Sequence, residues 1–180
     1  MRIAFFSTKP YDRIWFEPMA KDYGYEFNFL ELPFSAQTMF LAKGYDAACI
    51  FVNDHVDADM VDWLHENGVK ALLLRSAGFN HVDIKAAKGK VAVLRVPSYS
   101  PEAVAEFAMA MLLTVNRFTH KAYGRTREFN MNTNGLMGTD LYHKVAGVIG
   151  TGKIGQAMIR IFHGFSMQVL AYDPYPNENL

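Results

Sequence analysis

Charge of one sign is what this sequence most plainly lacks. Eighteen basic residues balance eighteen acidic ones, so no global field draws the chain onto nucleic acid, and no run of like charges forms a tail. Cysteine is nearly absent. The single thiol, Cys49, excludes an internal disulfide. Its place in the apolar run Ala47-Ala48-Cys49-Ile50-Phe51-Val52 makes it a strand residue expected inside the fold rather than a nucleophile. Long apolar runs are missing too. The opening Met1-Arg2-Ile3-Ala4-Phe5-Phe6-Ser7 is too short for a secretory segment, and nothing reaches the roughly 20 residues of a membrane span. These absences set the expectation of a cytoplasmic protein with neither nucleic acid nor membrane as partner. What is present, 51% hydrophobic and 20% charged residues in a chain of 180, suffices to bury a sizeable core.

Short apolar runs alternate with amphipathic stretches from the first residue onward, the pattern of parallel strands joined by crossover helices, so the class is α/β. Strands are predicted at Arg2 to Ser7, Tyr25 to Leu30, Ala47 to Val52, Val69 to Arg75 and Val91 to Val96. Asp57 is placed to cap a helix that Gly68 ends, because its side-chain oxygen satisfies free N–H groups and glycine accepts a left-handed exit. Five strands are enough for an open sheet covered on both faces, which gives a first domain over residues 1–100.

Ser100-Pro101 then sets a helix start, with a capping hydroxyl and a pre-set φ. From Ala103 to Val115 the helix is apolar nearly all round. Such a helix is expected to be covered on more than one side, hence between domains. The more polar stretch from His120 to His143, with Arg125, Arg127 and Asn132-Thr133-Asn134-Gly135, reads as a surface excursion or an oligomerisation arm. Together they make residues 101–143 an interdomain helix and dimerisation arm. A second strand-helix region occupies residues 144–180. Val145 to Ile149 forms a buried strand, and Ile154, Ala157, Met158, Ile161, Phe162 and Phe165 build one apolar helical stripe. Met167 to Tyr172 gives the next strand, closed by Asp173-Pro174.

Between that strand and helix lies Gly150-Thr151-Gly152-Lys153-Ile154-Gly155. A bare Gly-x-Gly-x-x-Gly is weak, but here it joins a strand to an amphipathic helix, and an acid ends the following strand. Gly150 serves the tight turn, Gly152 lets the backbone approach a pyrophosphate, and Gly155 permits close packing of helix on strand. The helix N-terminus offers unpaired N–H groups to the anion. Asp173 is placed to accept both ribose hydroxyls, and its charge would repel a 2′-phosphate with no arginine beside it, so NAD is favoured over NADP. The alternative is a glycine-rich turn with a surface aspartate.

Three stretches carry a family resemblance: Arg75-Ser76-Ala77-Gly78-Phe79-Asn80-His81-Val82-Asp83, Val96-Pro97-Ser98-Tyr99-Ser100-Pro101-Glu102-Ala103-Val104-Ala105-Glu106 and Gly147 to Gly155. In this order they resemble the D-isomer-specific 2-hydroxyacid dehydrogenases, and Ser7-Thr8-Lys9 with Cys49 to Asp54 are most similar to the bacterial D-lactate dehydrogenases within that family. The resemblance implies a flavodoxin-like substrate domain followed by the start of a Rossmann NAD-binding domain. It implies a small 2-oxo or 2-hydroxy acid as substrate, NAD as cofactor and a homodimer at full length. It also implies that backbone N–H groups of Ala77 and Gly78 hold the substrate carboxylate, that Tyr99 lies on the rim of the active cleft, and that Phe51 lines the pocket for the substrate side chain. The blander readings are that Gly78 shapes a turn, that Tyr99 packs, and that Phe51 belongs to the core.

Hydride transfer to a 2-oxo acid needs a proton donor, a group to tune it and a cation for the carboxylate. In this family a histidine, a glutamate and an arginine supply them, and the resemblance implies that all three lie past Leu180. None of the six histidines matches that motif, and His81, near the presumed carboxylate turn, is expected to be solvated. No catalytic residue is assigned within the chain, which is expected to be a truncated form, inactive alone. The competing class is a non-catalytic, NAD-responsive dimerising module or corepressor-like relative. Glycerate and phosphoglycerate dehydrogenases remain open among enzymes.

Overall fold

The structure is a computed structural model that describes residues 1–176; the last four residues of the expected segment 144–180 lie outside the described residues. The chain divides into two units, Met1–Tyr99 and Ser100–Leu180.

In the first unit five strands, β1 (Arg2–Phe5), β2 (Glu26–Phe29), β3 (Ala47–Ile50), β4 (Ala71–Leu74) and β5 (Ala92–Arg95), form one sheet in the order β2-β1-β3-β4-β5. Every pairing is parallel, with Phe5 opposite Cys49 and Ile50 opposite Leu74. This is the flavodoxin-like order, whose direction of winding reverses between β1 and β3. The period of two divides the side chains between faces. Ala4, Phe6, Ala48, Ile50, Leu72 and Leu74 join the larger core with Met60, Val61 and Leu64 of helix α2 (Ala58–Glu66). Ile3, Phe5, Ala47 and Cys49 face the other way, toward Phe16 of helix α1 (Pro10–Tyr23). Each fully buried Leu or Phe stabilises the fold by about 1.5–3 kcal/mol relative to exposure.

Caps appear where the side chains allow them. The Asp57 carboxylate accepts from the Met60 N–H at 2.9 Å at the start of α2, and Gly68 leaves that helix with φ +80°. Asp12 Oδ2 accepts from the Lys9 N–H at 2.8 Å at the start of α1. A short helix α3 (Ile84–Ala87) follows β4. The predicted strands all form, shorter than expected by one or two residues at their ends, where the chain leaves the ladder to turn.

In the second unit, helix α4 (Pro101–Arg117) starts with Ser100 Oγ accepting from the Ala103 N–H at 3.1 Å. Helix α5 (Thr119–Arg127) follows, then the parallel pair β6 (Val145–Ile149) and β7 (Gln168–Tyr172), joined by helix α6 (Lys153–Gly164). Met109, Ala146, Val148, Phe162 and Met167 form the core of this unit. Helix α4 is covered on one side within this chain. One face, with Ala105 and Met109, is buried, while Val104, Phe107, Met111 and Val115 on the other are exposed. The polar stretch after Phe118 is helical for its first nine residues. Beyond it, Arg125 Nη1 donates to the carbonyls of Asn132 and Asn134 at 2.8 and 2.7 Å, which folds the asparagine-rich turn back onto α5. Among the described residues no helix is long and apolar enough to cross a membrane, and no cluster of side chains suits a metal ion.

Candidate functional site

The residues singled out from the sequence fall into two groups, one in each unit. In the second unit, β6 ends at Ile149 and the chain turns through Gly150, Thr151 and Gly152 into α6. The three glycines of the motif owe their places to different causes. Gly150 has φ +95°, a conformation that side chains rarely adopt. Gly155 has ordinary φ, but a Cβ there would stand 2.0 Å from the Gly150 carbonyl oxygen, so helix and turn touch through it. Gly152 has φ −65° and ψ −173°, and a Cβ on it would meet nothing within 4 Å. Neither backbone strain nor packing demands glycine at Gly152.

Gly152 is also the cap of α6, with no side chain bonded to the helix start. The N–H groups of Lys153, Ile154 and Gly155 belong to the first turn, where an α-helix leaves its donors without intrahelical partners. A positive helix end beside an open glycine suits the phosphates of a dinucleotide.

Asp173 stands across the turn, just past β7. Its Oδ2 accepts from the Thr151 N–H at 2.7 Å and from Thr151 Oγ1 at 3.1 Å, and its Oδ1 accepts from the Tyr175 N–H at 2.9 Å. Hydrogen bonds from the Thr151 and Tyr175 N–H groups, which stabilise the charged form, hold its carboxyl below the usual range. The carboxylate therefore braces the glycine turn. Of its four or so acceptor positions one is left on Oδ1. The Thr151 N–H, committed to Asp173, is not among the donors facing outward. Gln156 Nε2 donates to the Thr151 carbonyl at 2.9 Å and ties the turn from the helix side.

In the first unit the relevant residues lie at the carboxyl ends of β3 and β4, neighbouring strands beside the point where the winding reverses. Ligands of open α/β sheets bind at such an edge. The Ser76 to Phe79 turn follows β4. Ser76 Oγ donates to the Gly78 carbonyl at 2.8 Å, and Arg95 Nη1, at the end of β5, donates to the Ala77 carbonyl at 2.9 Å. With both carbonyls tied back, the Ala77 and Gly78 N–H groups find no acceptor among the described residues. Gly78 needs neither positive φ nor space, since a Cβ there would meet nothing within 4 Å. Tyr99, at the end of this unit, is 62% exposed.

Phe51 is half-buried and borders a cavity of about 660 Å³, together with Cys49, Leu74, Arg75 and Arg95. Burial pushes the Cys49 thiol up to about 12, opposed by the nearby Arg75 charge, which makes it an inert core residue. His81 departs from expectation: its Nε2 is buried and without a partner among the described residues. Its carbonyl accepts from the Val56 N–H at 2.8 Å, and the Val56–Val82 bridge draws the segment inward. Burial holds its pKa below the ordinary value, opposed by the Asp54 charge.

Two residues of this edge were not singled out from the sequence. Asp54, 1% exposed, accepts from Phe51, Ser7 and Phe34. Arg75 donates to the Ser7 carbonyl. An acid and a base directly after apolar strands are a signal of a kind, but such residues are more often solvated, and only tertiary contacts distinguish them.

Residues 3–166 match the family described as D-isomer specific 2-hydroxyacid dehydrogenase, catalytic domain. The D-lactate dehydrogenase of Escherichia coli (strain K12) is 48% identical over 178 residues, an alignment that takes in 98% of this chain and 54% of that protein. The chain thus spans about half the length of that curated relative. Among solved structures, the apo-structure of the Escherichia coli D-lactate dehydrogenase superposes with a TM-score of 0.88 at 48% identity, covering 99% of this chain and 57% of that one. The NAD-complexed D-isomer specific 2-hydroxyacid dehydrogenase of Lactobacillus delbrueckii ssp. bulgaricus gives 0.73 at 28% identity, covering 99% and 55%. By sequence and by fold, the chain belongs to the D-isomer specific 2-hydroxyacid dehydrogenase family.

Proposed function

We propose that this chain forms the N-terminal part of an NAD-dependent D-2-hydroxyacid dehydrogenase that reduces pyruvate, or a 2-oxo acid of similar size, to the D-hydroxy acid. The observation that carries the reading is Gly152, a glycine that neither backbone nor packing requires, at the uncapped start of α6. Its role is to leave space, and the neighbouring N–H groups give that space the chemistry of a phosphate site. An NAD-complexed relative of the same fold supports the same cofactor.

In this reading Gly150 to Gly155 hold the pyrophosphate, and Asp173 accepts from the adenosine ribose while keeping the turn in shape. The bound nicotinamide supplies the hydride. The Ala77 and Gly78 N–H groups bind the substrate carboxylate, whose charge suits two outward donors. Tyr99 lies at the rim of the substrate site. Phe51 offers its ring to the substrate side chain, and an aromatic ring favours an alkyl group over a carboxylate.

The described residues include no histidine placed as general acid, so the 180-residue polypeptide prepared alone is expected to show no pyruvate-dependent NADH oxidation. Dimerisation through α4 completes the proposal. The exposed Val104, Phe107, Met111 and Val115 follow helical spacing, and an apolar stripe of this kind favours a partner helix over water.

The full-length dehydrogenase that begins with this sequence tests the reading. NADH is expected to be preferred over NADPH, and Asp173→Ala is expected to narrow that preference by on the order of tenfold, the worth of one hydrogen bond to a charged group. Equal kcat/KM for both cofactors in the parent enzyme would remove the ribose role of Asp173. NADH binding without turnover of any 2-oxo acid would favour a binding module over an enzyme.

A further inference from the structure

Phe51 is held from both ends by residues that touch no proposed ligand. Its N–H donates to Asp54 Oδ2 at 2.7 Å, and the Arg75 guanidinium carbon lies 5.2 Å from its ring centroid. The same guanidinium sits 4.2 Å from the Phe5 centroid. Both distances are within the range of cation–π attraction. The two holding residues are tied to one another through Ser7. The Ser7 hydroxyl donates to Asp54 Oδ1 at 2.9 Å, and the Ser7 carbonyl accepts from Arg75 Nη2 at 3.2 Å. Ser7 has φ +52°, a left-handed conformation that persists in a serine only where its surroundings determine it. The Phe34 N–H, at 3.2 Å from Asp54 Oδ1, ties in the loop after β2.

Arg75 is costly where it stands. Its Nε and Nη1 are buried and find no acceptor among the described residues. A half-buried arginine with two buried, unpaired nitrogens is not placed for its hydrogen bonds. What it makes well is cation–π contact, and the rings it lies over are Phe5 in the core and Phe51 at the cavity. The Arg75 N–H donates to the Ile50 carbonyl at 3.2 Å, so the two residues sit side by side on neighbouring strand ends. Phe51 is thus fixed at its backbone by a buried carboxylate and at its ring by a half-buried cation.

We infer that Arg75 and Asp54 are positioning residues that fix the Phe51 ring and thereby set the size of side chain the enzyme accepts on its 2-oxo acid. This rests on the proposed function, which sets Phe51 against the substrate side chain. A ring clamped on one face cannot swing aside for a longer alkyl group. Unclamped, it turns about χ1 and χ2 and opens the site.

The test uses the full-length dehydrogenase and three acids of increasing size: pyruvate, 2-oxobutanoate and 4-methyl-2-oxopentanoate. Arg75→Met, which keeps length and bulk but loses the charge and the flat face, is expected to shift the kcat/KM ratio of 2-oxobutanoate to pyruvate by roughly tenfold toward the larger acid. KM for NADH is expected to stay put. In a Phe51→Ala background the same change is expected to move the ratio hardly at all, because coupled residues are not additive. An unchanged ratio in folded Arg75→Met, or an equal shift with and without Phe51, overturns the inference. Should Arg75→Met fail to fold, Arg75→Gln, which keeps a polar end and loses the charge, reads the same ratio, and an unmoved ratio there overturns it equally. A parent enzyme that turns over none of the acids overturns the dehydrogenase reading and this one with it. Turnover with an immovable ratio overturns this one alone.

Discussion

The two glycine-bearing turns, one after β4 and one after β6, stand at the carboxyl ends of parallel strands yet use glycine differently. After β6, the backbone requires Gly150 and packing requires Gly155, while Gly152 is free of both demands. After β4, Gly78 is free of both as well. In each turn the glycine that neither φ nor packing requires lies beside backbone N–H groups left over from the strand ladder or the first turn of a helix. Sorting glycines by what a Cβ would meet separates those that build the turn from those that leave space beside it.

The sharpest way to break this comparison is to add one methyl group at each position. Gly155→Ala drives a Cβ to 2.0 Å from the Gly150 oxygen. The second unit should lose about 1–3 kcal/mol or more, as over-packed sites do, and thermal unfolding of the full-length enzyme should show it. An unchanged Tm would mean that helix and turn separate more readily than the contact suggests.

Gly78→Ala should leave the Tm near that of the parent, since neither φ nor space opposes a Cβ, while kcat/KM for pyruvate falls by about a hundredfold. NADH affinity should hold. Unaltered pyruvate kinetics in a folded variant would remove the carboxylate role of this turn. Gly152→Ala makes the matching change in the other turn. It should fold normally and weaken NADH by roughly tenfold, with little effect on KM for pyruvate, because the methyl group lies where the pyrophosphate would approach. Calorimetric titration of the cofactor checks it, and undiminished affinity would leave Gly152 without a purpose.

The smallest effect concerns His81, which sits between the two kinds of environment. Its folded pKa lies below the ordinary 6.5 because burial disfavours the cation. Below that value the unfolded chain binds more protons than the folded one, so stability falls as the pH drops through about 6.5 and levels off beneath the folded pKa. His81→Gln should flatten the Tm between about pH 5 and 7, with a change of a degree or two. A parent protein whose Tm does not vary there would show that the imidazole reaches solvent.

The sequence was informative wherever a local rule acts alone. Short apolar runs located the seven strands of the described residues, Asp57 and Ser100 capped the helices they precede, and the Gly150 to Gly155 spacing marked the turn before α6. It misled where burial depends on distant partners. His81, in a polar stretch, has a buried nitrogen. Asp54 and Arg75 escaped notice because a charged residue after a strand is ordinarily solvated.

What the sequence determined by itself is the alternation of strands and helices, their caps and the glycine spacing, because each depends on residues within a turn or two of one another. The tertiary structure alone decided that Asp173 braces Thr151, and that Ser7, Phe51, Asp54 and Arg75 form one bracket across β1, β3 and β4. Apart from the local Phe51–Asp54 bond, those contacts join residues far apart in the chain, and they exist only once the fold brings the strand ends and turns side by side. No local preference encodes them, since the same aspartate and arginine would be as content in water until the sheet closes around them.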